Sequence, residues 1–251
     1  MAEPLLRVEN VSKHFGGLRA VDKASFGAAT GRITALIGPN GAGKTTLFAT
    51  ITGFLRPTEG RIVYDGADIV GLPPHRLARI GIARTFQIVQ PFAGLTVREN
   101  IIVGSHLTRS SRVDALEAAG AVADAVDLRA QLDKPASALT VAGCKRLELA
   151  RALAIEPRLL LLDEVLAGLN PSEVRDLVPV IAAIGTRGVT IVMIEHIMQA
   201  VMSLAEHVYV LSEGRIIANG SPQDIASDPR VIEAYLGKGA AARMMAGGAN
   251  A

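Results

Sequence analysis

Three short apolar runs constrain this chain more than any other feature. "ITALIG" at Ile33–Gly38, "LLLLD" at Leu159–Asp163 and "VTIVMIE" at Val189–Glu195 are unbroken, whereas a strand with one wet face alternates apolar with polar residues. Strands that read this way are buried on both faces, as in a parallel sheet covered by helices. The opening third behaves differently. "LLRVENV" and "RIVYDG" alternate in short bursts between Gly and Asp turns, which predicts half-buried antiparallel strands. From Pro91 to Pro157 the chain is rich in Ala, Leu and Arg with no strand pattern, which predicts a helical insertion in an α/β core.

At 251 residues the chain lies near the upper limit of one hydrophobic unit. The reading is one domain over residues 1–251, with a core at 1–90 and 158–237, a helical insertion at 91–157 and a small, Gly-rich flexible tail at 238–251. Lys+Arg 26 against Asp+Glu 24 gives a net charge of +2, so no bulk field favours nucleic acid, and none is expected as a partner. Cys144 is the single cysteine and cannot form an internal disulfide, which fits a reducing compartment. No apolar run approaches the ~20 residues of a membrane helix, and "MAEPLLRVEN" lacks the pattern of a signal peptide. Cytoplasm is the expected location, and any work at a membrane is expected to go through a partner.

"GPNGAGKTT", Gly38 to Thr46, follows the first apolar run and precedes the helix-like "LFATITG". This is G-x-x-x-x-G-K-[ST] in the strand–loop–helix context the motif requires. Gly38, Gly41 and Gly43, with Pro39, Asn40 and Ala42 between them, turn successive backbone N–H groups inward at the positive end of a helix, which makes an anion nest for a triphosphate. Lys44 is placed to reach the β- and γ-phosphates, the Thr45 hydroxyl to ligate Mg²⁺, and Thr46 closes the loop. "LLLLDE" then delivers two carboxylates to the carboxyl edge of the sheet, where nucleotides bind in such folds. Asp163 is expected to hold Mg²⁺ and Glu164 to position or polarise the attacking water. "IEHI" puts His196 at the same edge, able to hydrogen-bond a γ-phosphate.

Taken in order, these residues resemble the nucleotide-binding subunit of ABC transporters over Leu5 to Gly237. The resemblance adds Gln87 in "RTFQ", "AGLNPSE" at Ala167–Glu173 in the place of the D-loop, and Phe15 in "VSKHFGG", which matches the aromatic that stacks on adenine. It implies a P-loop NTPase of the RecA-like, ABC-type class, with a parallel sheet, an N-terminal antiparallel β-subdomain and a helical insertion. It also implies ATP and Mg²⁺ as bound groups, with Glu164, His196 and Gln87 at the chemistry and Thr45, Gln87 and Asp163 around the metal. The implied partners are a second nucleotide-binding subunit, transmembrane permease subunits and a solute-binding protein. Val165 and Asn170 stand where many relatives carry proline and aspartate. Asn170 and the run His207 to Gly237, closing on "VIEAYLG", are similar to the branched-chain amino-acid importer group. Export, as in lipopolysaccharide-exporter ATPases, is an alternative. A soluble ABC protein or a P-loop kinase of small metabolites fits the residues less well.

One segment departs from the family pattern. Where LSGGQ is expected, Leu139 to Gly143 reads "LTVAG". The resemblance implies that Thr140, Val141, Ala142 and Gly143 cap a helix and present a hydroxyl and backbone N–H groups to the γ-phosphate held by the partner subunit. Thr140 keeps the hydroxyl. If the two former glycine positions have φ below zero, Val141 and Ala142 cost little; if they need φ above zero, Val141 strains the backbone by roughly 1–3 kcal/mol. "KRLELARAL" continues the helix, with Leu147, Ala150 and Ala154 on one face and charges opposite.

Overall fold

The computed structural model describes residues 3–87 and 89–237; the tail expected at 238–251 lies outside the described residues. The chain opens with β1 (Leu6–Phe15) and β2 (Leu18–Ala28), then β3 (Ile33–Ile37) and α1 (Lys44–Ile51). Next come β4 (Glu59–Tyr64), β5 (Ala67–Asp68), α2 (Pro74–Arg79) and β6 (Ile82–Arg84). Three helices follow, α3 (Val97–Ser105), α4 (Arg112–Ala125) and α5 (Val141–Leu153), before β7 (Leu159–Asp163), α6 (Pro171–Thr186) and β8 (Thr190–Ile194). The last elements are α7 (Met198–Leu204), β9 (His207–Ser212), β10 (Arg215–Gly220), α8 (Pro222–Ser227) and α9 (Pro229–Leu236).

Two sheets result. One is four-stranded and antiparallel, in the order β2-β1-β4-β5. The other is six-stranded, β10-β9-β3-β8-β7-β6, parallel throughout except for the β9–β10 hairpin. The apolar runs lie at its centre, with all five residues of β3, β7 and β8 buried. Alternate side chains of one strand enter different cores. Leu160 and Leu162 join the helices on one face, and Leu159 and Leu161 join α1 and the antiparallel sheet on the other. Each buried leucine contributes about 1.5–3 kcal/mol, so β7 is clamped from both sides just before Asp163.

Two features differ from the sequence reading. β6 carries no apolar run; "IAR" is strand because Ile82, Ala83 and Arg84 pair with Leu159, Leu160 and Leu161 of β7. After the β9–β10 hairpin come two short helices that the sequence reading did not assign, because Ser221 and Asp228 each cap a new start with proline at the first position.

Candidate active site

The loop between β3 and α1 is shaped by its glycines. Gly43, the N-cap of α1, has φ 104°, and a Cβ on it would lie 2.2 Å from the Ala20 carbonyl oxygen. Lys44 folds back over the loop and donates to the carbonyls of Gly38 at 2.7 Å and Pro39 at 3.0 Å. Its ammonium is buried, which pushes its pKa down, while Glu164 and Asp163 pull it back up. Asn40 to Thr46 line a cleft of about 1020 Å³, together with Phe15, Ala20, Gln87, Glu164 and His196. Phe15, half exposed at the end of β1, offers a ring face at the rim. Among the expected residues, Asp163 is buried and not in the wall of the cleft, and Thr140 to Gly143 lie outside it, with Thr140 and Val141 exposed and Gly143 buried.

Glu164 follows the buried end of β7 in a left-handed conformation, φ 50°, which costs a non-glycine residue roughly 1–2 kcal/mol. Its N–H donates to the Ile194 carbonyl at 3.0 Å, tying β7 to β8. Both carboxylate oxygens are engaged: the Gln87 amide donates to Oε2 at 2.6 Å, and His196 Nε2 lies 2.8 Å from Oε1. Three residues scattered through the sequence thus form one chain of hydrogen bonds across the cleft, with the carboxylate at its centre. A carboxylate placed in the wall of such a cleft is the kind of group that can serve as a general base.

Asp163 was expected as a metal ligand, and its surroundings fit that role. Its Oδ2 accepts from Arg84 at 2.6 Å, and its backbone N–H donates to the Thr85 hydroxyl at 3.1 Å. Oδ1 is buried with no hydrogen-bond partner among the described residues. A fixed carboxylate with one free oxygen, a Thr45 hydroxyl and a Gln87 amide make a set of hard oxygen donors suited to Mg²⁺ carried on phosphates.

The variant segment is free of backbone strain. Thr140 is the N-cap of α5, φ −68°, and its hydroxyl accepts from the Gly143 N–H at 3.1 Å. Val141 and Ala142 open the helix and are not among the described non-glycine residues with positive φ. Val141 points outward, 60% exposed. Two expectations follow: Thr140→Ala costs about 1 kcal/mol through the lost cap, and Val141→Gly lowers stability by roughly 0.5–1 kcal/mol without raising hydrolysis. Thermal denaturation and phosphate release check both.

Several residues of the site were not anticipated. Arg84 sits immediately before Thr85, Phe86 and Gln87, and its place beside a glutamine already singled out was the available signal. The charges of α5, expected to face solvent, include two buried ones, Lys145 and Glu148. Glu195 is almost fully buried under the Leu166 N–H, which donates to it at 2.9 Å, and burial raises its pKa to about 7. The folded chain therefore keeps a proton that the unfolded chain releases near pH 4.5. Stability is expected to fall as pH rises between these two values and to stay low above about 7. Glu195→Gln should remove that penalty, stabilising by roughly 1–3 kcal/mol at pH 8 and little at pH 5, as read by denaturant melts at the two pH values.

Comparison with known proteins agrees with this geometry. The model of the family described as ABC transporter matches residues 21–167, and that of the branched-chain amino acid ATP-binding cassette transporter matches 215–241. The chain is 40% identical to the high-affinity branched-chain amino acid transport ATP-binding protein BraF of Pseudomonas aeruginosa, over 95% of this chain and 100% of that protein. It is 39% identical to the LivG protein of the same description from Escherichia coli, with the same coverage. A crystal structure of a nucleotide-free ATP-binding cassette from an ABC transporter superposes with a TM-score of 0.86 at 34% identity, covering 94% of this chain and 100% of that one. With the cleft, the sheet order and these matches in agreement, the chain belongs to the ABC transporter family.

Proposed function

We propose that this chain is the subunit that binds and hydrolyses MgATP to drive import of branched-chain amino acids or related small solutes, working at the cytoplasmic face of the cell membrane. The observation that carries the reading is the cleft itself, where Lys44, Gln87, Glu164 and His196 line one space together with the glycine-rich loop. Full-length similarity to branched-chain amino acid transport proteins supports the choice of solute over export.

In this reading two cassettes close on two nucleotides, each γ-phosphate bridging the loop of one chain and the Thr140–Gly143 tip of the other. Phe15 stacks on the base, the loop amides and Lys44 hold the phosphates, and Glu164 orients the attacking water. Thr45, Asp163 and Gln87 would hold Mg²⁺, which when bound would offset the negative charge of the phosphates. Loss of the γ-phosphate removes the bridge, and the pair reopens. Residues 91–157 act as a lobe that moves against the core, with Gln87 at the junction.

Among the described residues no helix is long and apolar enough to cross a membrane, so contact with the bilayer comes through permease subunits. A groove of about 270 Å³ between α2, α3 and α5, with Phe54, Leu77, Phe86 and Val103 in its walls, suits an apolar segment of a permease. A solute-binding protein completes the system. The test is to purify the assembly from detergent-solubilised membranes and reconstitute it in proteoliposomes. ATP should yield free phosphate and drive uptake of labelled leucine; a phosphorylated metabolite, or uptake indifferent to ATP, would overturn the reading.

A further inference from the structure

Three charged residues of α5, two of them buried, hold the backbone of the segment that carries Gln87. Lys145, 5% exposed, donates to the Gln87 carbonyl at 3.1 Å and the Glu164 carbonyl at 3.4 Å. One turn on, the Glu148 carboxylate accepts the Phe86 N–H. Two turns on, Arg151 donates to the Gln90 carbonyl at 3.0 Å and covers the Phe92 ring at 4.7 Å. Spacing of three residues puts all three on one stripe. Helix and segment are thereby joined along two turns, and the stripe begins one turn beyond the Thr140 cap.

Neither Lys145 nor Arg151 has a carboxylate at ion-pair distance among the described residues, and of these two cations Lys145 is the buried one. A buried ammonium is expensive, and an unbranched apolar side chain of similar length would pack at lower cost. Its donors go to the carbonyls of two residues of the site: Gln87, beside the cleft, and Glu164, at its centre. The first turn of the same helix is the tip that, in the reading above, serves the nucleotide of the other cassette. We propose that Lys145 is a positioning residue that couples the two nucleotide sites of the pair. When the tip engages the partner's γ-phosphate, α5 shifts as a rigid body, and Lys145 carries the backbones of Gln87 and Glu164 into their working position in its own cleft. This rests on the two-cassette reading and adds to it a named element with contacts to both sites, which coupling between distant sites requires.

The experiment compares wild type, Lys145→Met and Lys145→Arg in the purified assembly, measuring the ATP dependence of phosphate release and, separately, binding of a fluorescent ATP analogue. Wild type should hydrolyse ATP cooperatively, with a Hill coefficient approaching 2 for two coupled sites. Lys145→Met should bring it to about 1, with turnover reduced about 10- to 100-fold and analogue binding changed by less than about 3-fold. Lys145→Arg, which restores the donors, should recover cooperativity. If Lys145→Met does not fold, Lys145→Gln takes its place, since a single short donor cannot span both carbonyls and the same loss is expected. A wild-type Hill coefficient of 1, or cooperativity that survives Lys145→Met, would overturn the coupling role while leaving the ATPase reading intact. No phosphate release from wild type at all would overturn the ATPase reading instead.

Discussion

Replacing Glu164 by glutamine is expected to slow ATP hydrolysis by about two to four orders of magnitude and to leave ATP locked between two associated cassettes. The substitution keeps the side chain's size and removes its capacity to accept a proton. It also disturbs the hydrogen-bond chain across the cleft. Glutamine has one acceptor oxygen where Glu164 presents two, to Gln87 Nε2 at 2.6 Å and to His196 Nε2 at 2.8 Å. One of the two contacts must therefore become a donor facing a donor unless Gln87 turns its amide or His196 changes its tautomer or turns its ring. Binding is expected to be retained, because in the proposed reading Lys44 and the loop amides hold the phosphates. The closed pair should then accumulate, since the γ-phosphate that bridges it is not removed. Single-turnover phosphate release and size-exclusion chromatography with MgATP read the two effects. Turnover within about threefold of wild type would remove Glu164 from the chemistry.

A second large effect is expected at Gly38. Its φ is 152°, and a Cβ built there would lie 1.9 Å from the Leu211 carbonyl oxygen of β9. No real Cβ approaches a backbone oxygen so closely, and neither partner can yield, since β3 pairs with β9 through Leu36↔Tyr209 and Ile37↔Val210. Gly38→Ala must push these central strands away from each other or distort the phosphate loop. The expected cost is about 3 kcal/mol or more, which lowers the midpoint of thermal unfolding by roughly 6–12 °C in a chain of this size and weakens ATP binding. Gly41 is the control. It has φ 79° with nothing within 4 Å of its added Cβ, so Gly41→Ala should cost only the backbone preference, about 1 kcal/mol. Equal melting points for the two variants would show that close packing under the loop is unimportant.

The contrast between these glycines shows how far a sequence can be read. The motif identifies all of them as loop glycines, yet only the packing of β9 beneath the loop separates Gly38 from Gly41. In the same way β3, β7 and β8 were legible, because a strand buried on both faces leaves an unbroken apolar record. β6 was not, because its three residues owe their conformation to an edge of β7. The order of Gln87, Glu164 and His196 pointed to one site, but their mutual hydrogen bonds depend on the left-handed turn at Glu164, which no residue pattern announces. Lys145 and Glu148 were misjudged for a physical reason. Charges on a helix are usually solvated, and here the backbone groups of the loop beside α5 required partners that only long polar side chains could supply. The "LTVAG" segment allowed two outcomes from sequence, since residue names do not reveal φ. The cap at Thr140 decides between them.

The geometry of that cap bears on how such subunits diversify. In the proposed pair of cassettes the tip would offer an anion a row of peptide amides plus one hydroxyl, and every amino acid except proline supplies the amide. Val141, turned toward solvent, is thus released from the chemistry and free to be selected for whatever surface it meets when two subunits come together. A chain can change its mating preferences at this point without altering the bond it helps to break.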